Sequence, residues 1–417
     1  MPRSVGAAVR TNDLKPWWST ATVRRLLADL SAAEIARLRP RLGGVRRAPD
    51  ADGESPPDPL DLDLEHDLDS LEFLDLATAV AVQFHLYQTG LDDALMASRR
   101  LADWVTTILR SRARWDESIS FQTSGATGRP KLCTHPLAFL EQEIGFTADR
   151  LRDRRRVLSV VPCHHIYGFL FSIMLPACLG IPVLDRRGAL PGRVLRHAEP
   201  GDVLIGHPAF FDLATRAPVS VAADVVAVSS TGHCPHPVWE RLGMAGLAAM
   251  IEVYGASETA GIGVREASGD PFRLMPHWSR VAGADGRIVR LGLADGPVVA
   301  DLPDRVRWVD EARFQVLGRL DGAVQVAGIN VFPQRIQSRI REHPEVADAL
   351  VRLASADQGG RLKAFVVPGL GCRDPAGLPE RLHAWLAERL TTAERPATIT
   401  VGARLPQSPL GKPTDWD

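Results

Sequence analysis

Lys131 closes the stretch Phe121-Gln122-Thr123-Ser124-Gly125-Ala126-Thr127-Gly128-Arg129-Pro130-Lys131, which crowds hydroxyls, glycines and one amine together. That mixture suits a phosphate. Gly125 and Gly128 permit close backbone approach and unusual φ angles. Exposed amides in such a turn form a concave anion site, and Thr123, Ser124 and Thr127 add hydroxyls. Lys131 is a compact positive charge. The order is not that of a Walker A loop. Farther on, Tyr254-Gly255-Ala256-Ser257-Glu258 offers an aromatic ring and a carboxylate, and Gly411-Lys412 places a second amine near the end.

Lysine occurs only at Lys15, Lys131, Lys363 and Lys412; arginine supplies the remaining basic residues. In a chain that writes positive charge as arginine, these positions stand out as places for a flexible point charge rather than a planar fork.

The elements that must hold these groups follow from pattern. Arg156 to Pro162, Asp202 to Ile205, Asp224 to Ser229 and Met250 to Val253 are short apolar runs. Helical segments separate them over Phe169 to Leu179, Ala209 to Thr215 and Val238 to Ala249. Uninterrupted apolar strands alternating with helices predict an α/β fold with a largely parallel sheet covered on both faces. Ligands sit beyond the carboxyl ends of such strands, where His164 to Phe169, Gly206 to Pro208, Ser230 to His233 and Tyr254 to Glu258 fall. Residues 270–313 read as a smaller β-rich portion, and residues from Arg319 onward as a separate αβ domain.

The phosphate loop resembles that of the adenylate-forming superfamily, which includes acyl- and aryl-CoA synthetases, luciferases and peptide-synthetase adenylation domains. Pro162-Cys163-His164-His165-Ile166-Tyr167-Gly168, Tyr254 to Glu258, Gly318-Arg319-Leu320-Asp321 with the Gly328 to Pro333 loop, and Gly411-Lys412 match its further blocks in order. The resemblance implies ATP-dependent activation of a carboxylic acid to an acyl-adenylate, then transfer to CoA or to the phosphopantetheine of a carrier protein. It implies that Thr123 to Lys131 hold the outer phosphates, Thr127 and Glu258 position Mg²⁺, and Tyr254, Gly255 and Ser257 line the nucleotide. Asp304 and Arg319 would bind the ribose, and Lys412 would reach the carboxylate and the α-phosphate. Asp321 matches the hinge about which the last domain turns. His165 matches a pocket gate, with Tyr167, Phe169, Thr231, Gly232, Ala256, Ala260, Gly261 and Gly263 as pocket walls. The small residues after Glu258 favour a flat aromatic acid. Pro333 is followed by Gln334 and Arg335 where the family carries Glu.

The phosphate loop also lies unusually early. Compact ligases of this shape resemble those activating hydroxybenzoate or hydroxycinnamate (4-coumarate–CoA ligase-like) for aryl polyene and xanthomonadin-type pigments. In front of the loop, Asp69-Ser70-Leu71 with Glu72 and an apolar face over Phe73, Leu74, Ala77, Ala81 and Phe84 resembles the second helix of an acyl carrier protein. Ser70 would then be the phosphopantetheine position. Asp69 and Glu72 also form a capping box. The expected division is a carrier-like helical unit over 1–114, an adenylation core over 115–318 and a mobile domain over 319–417. Two other readings are a medium-chain acyl ligase and an idle scaffold that binds a partner carrier.

Composition excludes several classes. A net charge of −1 argues against a nucleic-acid surface. No apolar run reaches the ~20 residues that span a bilayer. Five scattered cysteines without framework spacing fit reduced thiols in a cytoplasmic protein. Cys163-His164-His165 and His233-Cys234-Pro235-His236 lack the usual spacing of zinc ligands.

Overall fold

Side-chain caps start the first two long helices. Ser19 accepts the Thr22 amide ahead of α1 (Thr20–Leu38), and Asp69 accepts the amides of Leu71 and Glu72 ahead of α2 (Ser70–Phe84). Glu72 returns the bond to the Asp69 amide, so Asp-Ser-Leu works here as a capping box. Ser70 is exposed in the first turn. The computed structural model describes residues 14–39, 68–123, 131–292, 296–326, 329–355, 360–406 and 414–416, with only the backbone of Thr123 and Ile329.

An antiparallel pair, β1 (Ser118–Thr123) and β2 (Lys131–Pro136), flanks residues 124–130. Then come β3 (Arg156–Ser159), β4 (Val183–Asp185), β5 (Asp202–Gly206), β6 (Val226–Ser229), β7 (Ala249–Ala256), β8 (Ala260–Arg265) and β9 (Phe272–Leu274). A three-stranded antiparallel sheet follows, of β10 (Trp278–Arg280), β11 (Arg287–Arg290) and β12 (Val298–Asp301). With β13 (Asp304–Trp308) and β14 (Arg313–Arg319), the large sheet has the order β13-β14-β9-β8-β7-β6-β5-β3-β4. It is parallel from β4 to β7 and antiparallel from β7 to β13. The expected parallel sheet is therefore half of a mixed one. The rest of the chain forms a small domain. It contains the hairpin β15 (Val324–Val326) and β16 (Ile329–Val331), then β17 (Val346–Leu353), β18 (Leu362–Pro368) and β19 (Thr398–Val401), with helices Pro333–Arg341 and Leu378–Ala387.

The helices before residue 114 have no core of their own. Trp18 packs on Phe84 and on Phe169, and Phe169 packs on Phe121, so one apolar cluster runs from α1 into the sheet. Arg112 is buried inside it, its guanidinium 4.9 Å from the Trp18 ring, donating to the carbonyls of Phe84 and Ser118. Burial pulls Arg112 down to about 10, opposed by Asp116. An independent bundle would close its apolar faces on itself, whereas these helices close theirs on β1 and the Phe169 helix. No helix among the described residues is long and apolar enough to cross a membrane.

Candidate active site

Lys131 and Glu258 lie 127 positions apart in sequence, yet Lys131 Nζ donates to Glu258 Oε1 at 2.7 Å. Two local structures bring them together. The β1–β2 pairing sets Thr123 opposite Lys131, on either side of residues 124–130. The β7–β8 hairpin, with Ala256 opposite Ala260, carries Ser257, Glu258 and Thr259 at its tip. Partial burial draws the Glu258 carboxyl upward, but the hydrogen bond and charge of Lys131 outweigh it and hold Glu258 below the usual carboxylate range. The pair is solvent-facing, so it contributes little to stability. Ser124, Gly125, Thr127 and Gly128 lie outside the described residues.

Next to this pair a cleft of 470 Å³ opens over the carboxyl ends of the central strands, lined in part by Thr231, Gly232, Tyr254, Gly255, Asp304 and Arg319. Asp304 and Arg319 are cross-strand partners on β13 and β14, which is why two residues fifteen positions apart share a wall. Tyr254 donates its hydroxyl to Asp304 Oδ2 at 2.7 Å and leans on Phe272 and Phe314. Arg319 forks onto Asp321 at 2.8 and 2.6 Å, tying the ribose candidate to the hinge candidate and holding Asp321 below its ordinary value. Gln325, from the small domain, reaches the same cleft beside Gly232. Thr231 Oγ1 and Gln325 Oε1 are buried there without a hydrogen-bond partner, and Thr231 takes a left-handed φ of 74°. Orphaned polar atoms and a strained backbone mark a place shaped for a ligand, and a polar nucleotide fits it.

A single ionised, solvent-facing carboxylate suits Mg²⁺, which is commonly held by one or two carboxylates plus substrate phosphates. The described residues contain no cluster of three or more His, Cys, Asp or Glu that could hold a metal. His233 instead meets Arg265 at 2.9 Å, His236 pairs with Glu240, and Cys234 is buried with its thiol pushed up to about 12.

His165 follows β3 and lies against His164, the ring centroids 4.0 Å apart and the planes tilted by 43°. Asp29 of α1 supports this loop. It accepts the Cys163 amide at 2.7 Å and pairs with Arg187 at 2.7 Å. His165 is exposed, with protein packed densely around it. Crowding lowers its pKa, against the opposing pull of Asp29. His165 does not line this cleft.

Several expected pocket walls have other duties. The Tyr167 hydroxyl sits between the carbonyls of Gly206 and Val228, 2.9 Å from each, and bridges the ends of two parallel strands. Phe169 is fully buried against Trp18 and Phe121. Gly261 is small for an internal reason: a Cβ there would lie 2.4 Å from Glu143 Oε1 and 2.8 Å from Met275 Cε. Gly255 likewise meets the Ala260 carbonyl, at 2.2 Å from a built Cβ. At both positions the protein's own packing leaves no space for a Cβ. Gly261→Ala therefore overpacks the hairpin and destabilises the protein by about 1–3 kcal/mol, measurable by denaturant unfolding.

Sequence reasoning missed the far end of the cleft. Glu252 and Arg265 face each other across β7 and β8 and form a buried pair at 2.8 Å, and Glu252 also accepts the Cys234 amide. The available signal was one glutamate inside the apolar run Met250-Ile251-Glu252-Val253.

In the small domain, Arg335 pairs with Glu394 at 3.0 Å, which gives this departure from the family pattern a structural partner. Lys412 lies outside the described residues. The tail after it is pinned: Thr414 donates its amide to Pro406 at 3.0 Å, and buried Lys363 meets Asp415 at 3.0 Å under the Trp416 ring.

Residues 72–293 match the family described as AMP-binding enzyme, and residues 335–412 match the AMP-binding enzyme C-terminal domain. A 4-coumarate–CoA ligase of Halorhodospira halophila is 36% identical over 94% of this chain and 97% of that protein. Another, of Rhodobacter capsulatus, is 37% identical over 95% of this chain and 100% of its own length. Among solved structures, an o-succinylbenzoate CoA synthetase from Bacillus subtilis with a bound product analogue has a TM-score of 0.56 at 20% identity, covering 71% of this chain and 67% of that one. A malonyl-CoA ligase has a TM-score of 0.52 at 22% identity, over 69% and 71%. These likenesses show the fold, and the sequence matches carry the assignment. The chain belongs to the AMP-binding enzyme family and is an AMP-forming acid–CoA ligase.

Proposed function

We propose that this enzyme activates an aromatic acid of the hydroxycinnamate or hydroxybenzoate type and passes the acyl group to the thiol of CoA. In the first step a carboxylate oxygen bonds to the α-phosphorus of ATP, and the bond to pyrophosphate breaks. In the second the thiolate attacks the acyl carbonyl, and AMP leaves.

The observation that carries this reading is Lys131 held on Glu258 at 2.7 Å beside a cleft with Asp304 and Arg319. Without nucleotide the two charges neutralise each other. With it Lys131 turns to the phosphates, and Glu258, with Thr127, would hold magnesium. The metal supplies charge neutralisation for the departing pyrophosphate. Asp304 orients the ribose hydroxyls, and the Tyr254 ring lies along the base. Lys412 neutralises the charge that builds on the α-phosphate, and rotation about Asp321 then withdraws it. His165 gates the acid. Electrostatics and positioning supply most of the rate in such a phosphate reaction.

The aromatic preference rests on the coumarate–CoA ligase relatives. A carrier-protein thiol, with a place in aryl-pigment formation, is the alternative acceptor. A panel of 4-coumarate, hydroxybenzoates and medium-chain fatty acids, with CoA and phosphopantetheinylated carrier protein offered separately, tests both choices. The expected result is thioester formation with an aromatic acid and CoA. Response to fatty acids alone overturns the substrate assignment, and response with carrier alone overturns the acceptor.

A further inference from the structure

The hairpin tip that carries Glu258 is built in a conformation its own sequence disfavours. Ala260, immediately after the tip, has φ 61°, a left-handed value that glycine adopts freely and alanine does not. A residue so placed stores backbone strain and persists only where the surroundings over-determine it. Four buried side chains from outside the hairpin do so, each bonding a different backbone group of the tip. His135 Nε2 donates to the Ser257 carbonyl at 2.6 Å. Arg290 Nη2 donates to the Thr259 carbonyl at 3.1 Å. Glu143 Oε2 accepts the Gly261 amide at 2.8 Å, and Trp278 Nε1 donates to the Gly261 carbonyl at 2.8 Å.

Arg290 is itself fixed. Its guanidinium lies 4.5 Å from the Trp278 ring and 4.8 Å from the Phe139 ring, and it donates to the Phe139 carbonyl at 2.7 Å. Glu143 and Arg290 are among the most deeply buried charged residues of the chain. A buried carboxyl and a buried guanidinium are expensive to retain for stability alone, since apolar residues of the same volume do as well or better. Their retention here, on successive peptides of one strained turn, points to placement of what the turn carries.

We propose that Glu143 and Arg290, with Trp278, are positioning residues for Glu258: they hold the β7–β8 tip in its left-handed form so that the Glu258 carboxylate is presented beside Lys131, where the magnesium of MgATP is to be met. This inference rests on the reading of Glu258 as the magnesium carboxylate.

The test is calorimetric titration of the full-length enzyme with ATP, with and without Mg²⁺ and with no acid present. In the wild type Mg²⁺ tightens ATP binding. Glu143→Ala weakens MgATP binding about tenfold, equivalent to ~1.4 kcal/mol, and leaves Mg²⁺-free ATP binding unchanged. Glu143→Gln, which keeps an acceptor for the Gly261 amide, stays within about twofold of wild type. Unaltered MgATP binding in Glu143→Ala, or equal weakening with and without Mg²⁺, overturns the proposal. If Glu143→Ala does not fold, Trp278→Phe, which removes the indole donor and keeps an aromatic ring beside Arg290, is read in the same titration. A severalfold loss confined to MgATP upholds the proposal, and no loss overturns it. Glu258→Gln separates the two levels. If it keeps the full gain from Mg²⁺, the reading of Glu258 itself falls. If it loses that gain while Glu143→Ala does not, only the positioning role falls.

Discussion

Lys412→Ala is expected to lower acid-dependent ATP–pyrophosphate exchange by about 10²–10³-fold, the range for loss of one donor aimed at developing oxyanion charge. The same variant is expected to convert a supplied acyl-adenylate and CoA to the thioester at close to the wild-type rate. The separation follows from where charge builds. During adenylation the α-phosphate gains an entering oxygen before the pyrophosphate has left, and a flexible ammonium answers that charge. During thioester formation the charge builds on the acyl oxygen instead. The tail beyond Lys412 is anchored through Lys363, Asp415 and the Pro406–Thr414 bond, contacts made by residues other than 412. An equal fall in both half-reactions, or no fall, removes Lys412 from its assigned role.

Glu258→Gln is expected to cost about 10²-fold or more in exchange with almost no change in unfolding free energy. The side chains of Lys131 and Glu258 are 57% and 42% exposed, and solvent-facing pairs of this kind contribute roughly 0–1 kcal/mol. A pair retained for folding would show the reverse, lower stability with activity preserved. Glutamine keeps the shape and one acceptor oxygen but not the negative charge that a hard divalent ion requires. Denaturant unfolding and exchange kinetics on one preparation give both numbers.

The sequence singled out residues that the structure then brings together, Lys131 with Glu258 and Asp304 with Arg319. Lys131 and Glu258 each close a small-residue stretch, and Asp304 and Arg319 bracket a hairpin. The strands Asp202–Gly206 and Val226–Ser229 are continuous apolar runs, as parallel strands covered on both faces are. In the antiparallel half of the sheet one strand was illegible because it is very short. Phe272–Leu274 has three residues, too few for any period. Glycine was ambiguous in a different way. Gly261 leaves room, but sequence does not say for whom, and Glu143 from a distant helix fills it. The Asp-Ser-Leu start of α2 was ambiguous as well, since a helix cap and a modification motif ask for the same residues. The cap is formed by Asp69 and Glu72, and the helix packs into the large domain's core. Asp29 was hidden altogether: nothing in α1 announces that it holds the loop before His165.

Exchange of labelled pyrophosphate into ATP, with 4-coumarate present and CoA omitted, tests the central claim most directly. Lys131, Glu258 and the cleft beside them are assigned to making an acyl-adenylate before any thiol arrives, so exchange is predicted to require the acid and to proceed without CoA. Exchange that stays absent across the aromatic and aliphatic acids, or that begins only when CoA is added, would contradict it.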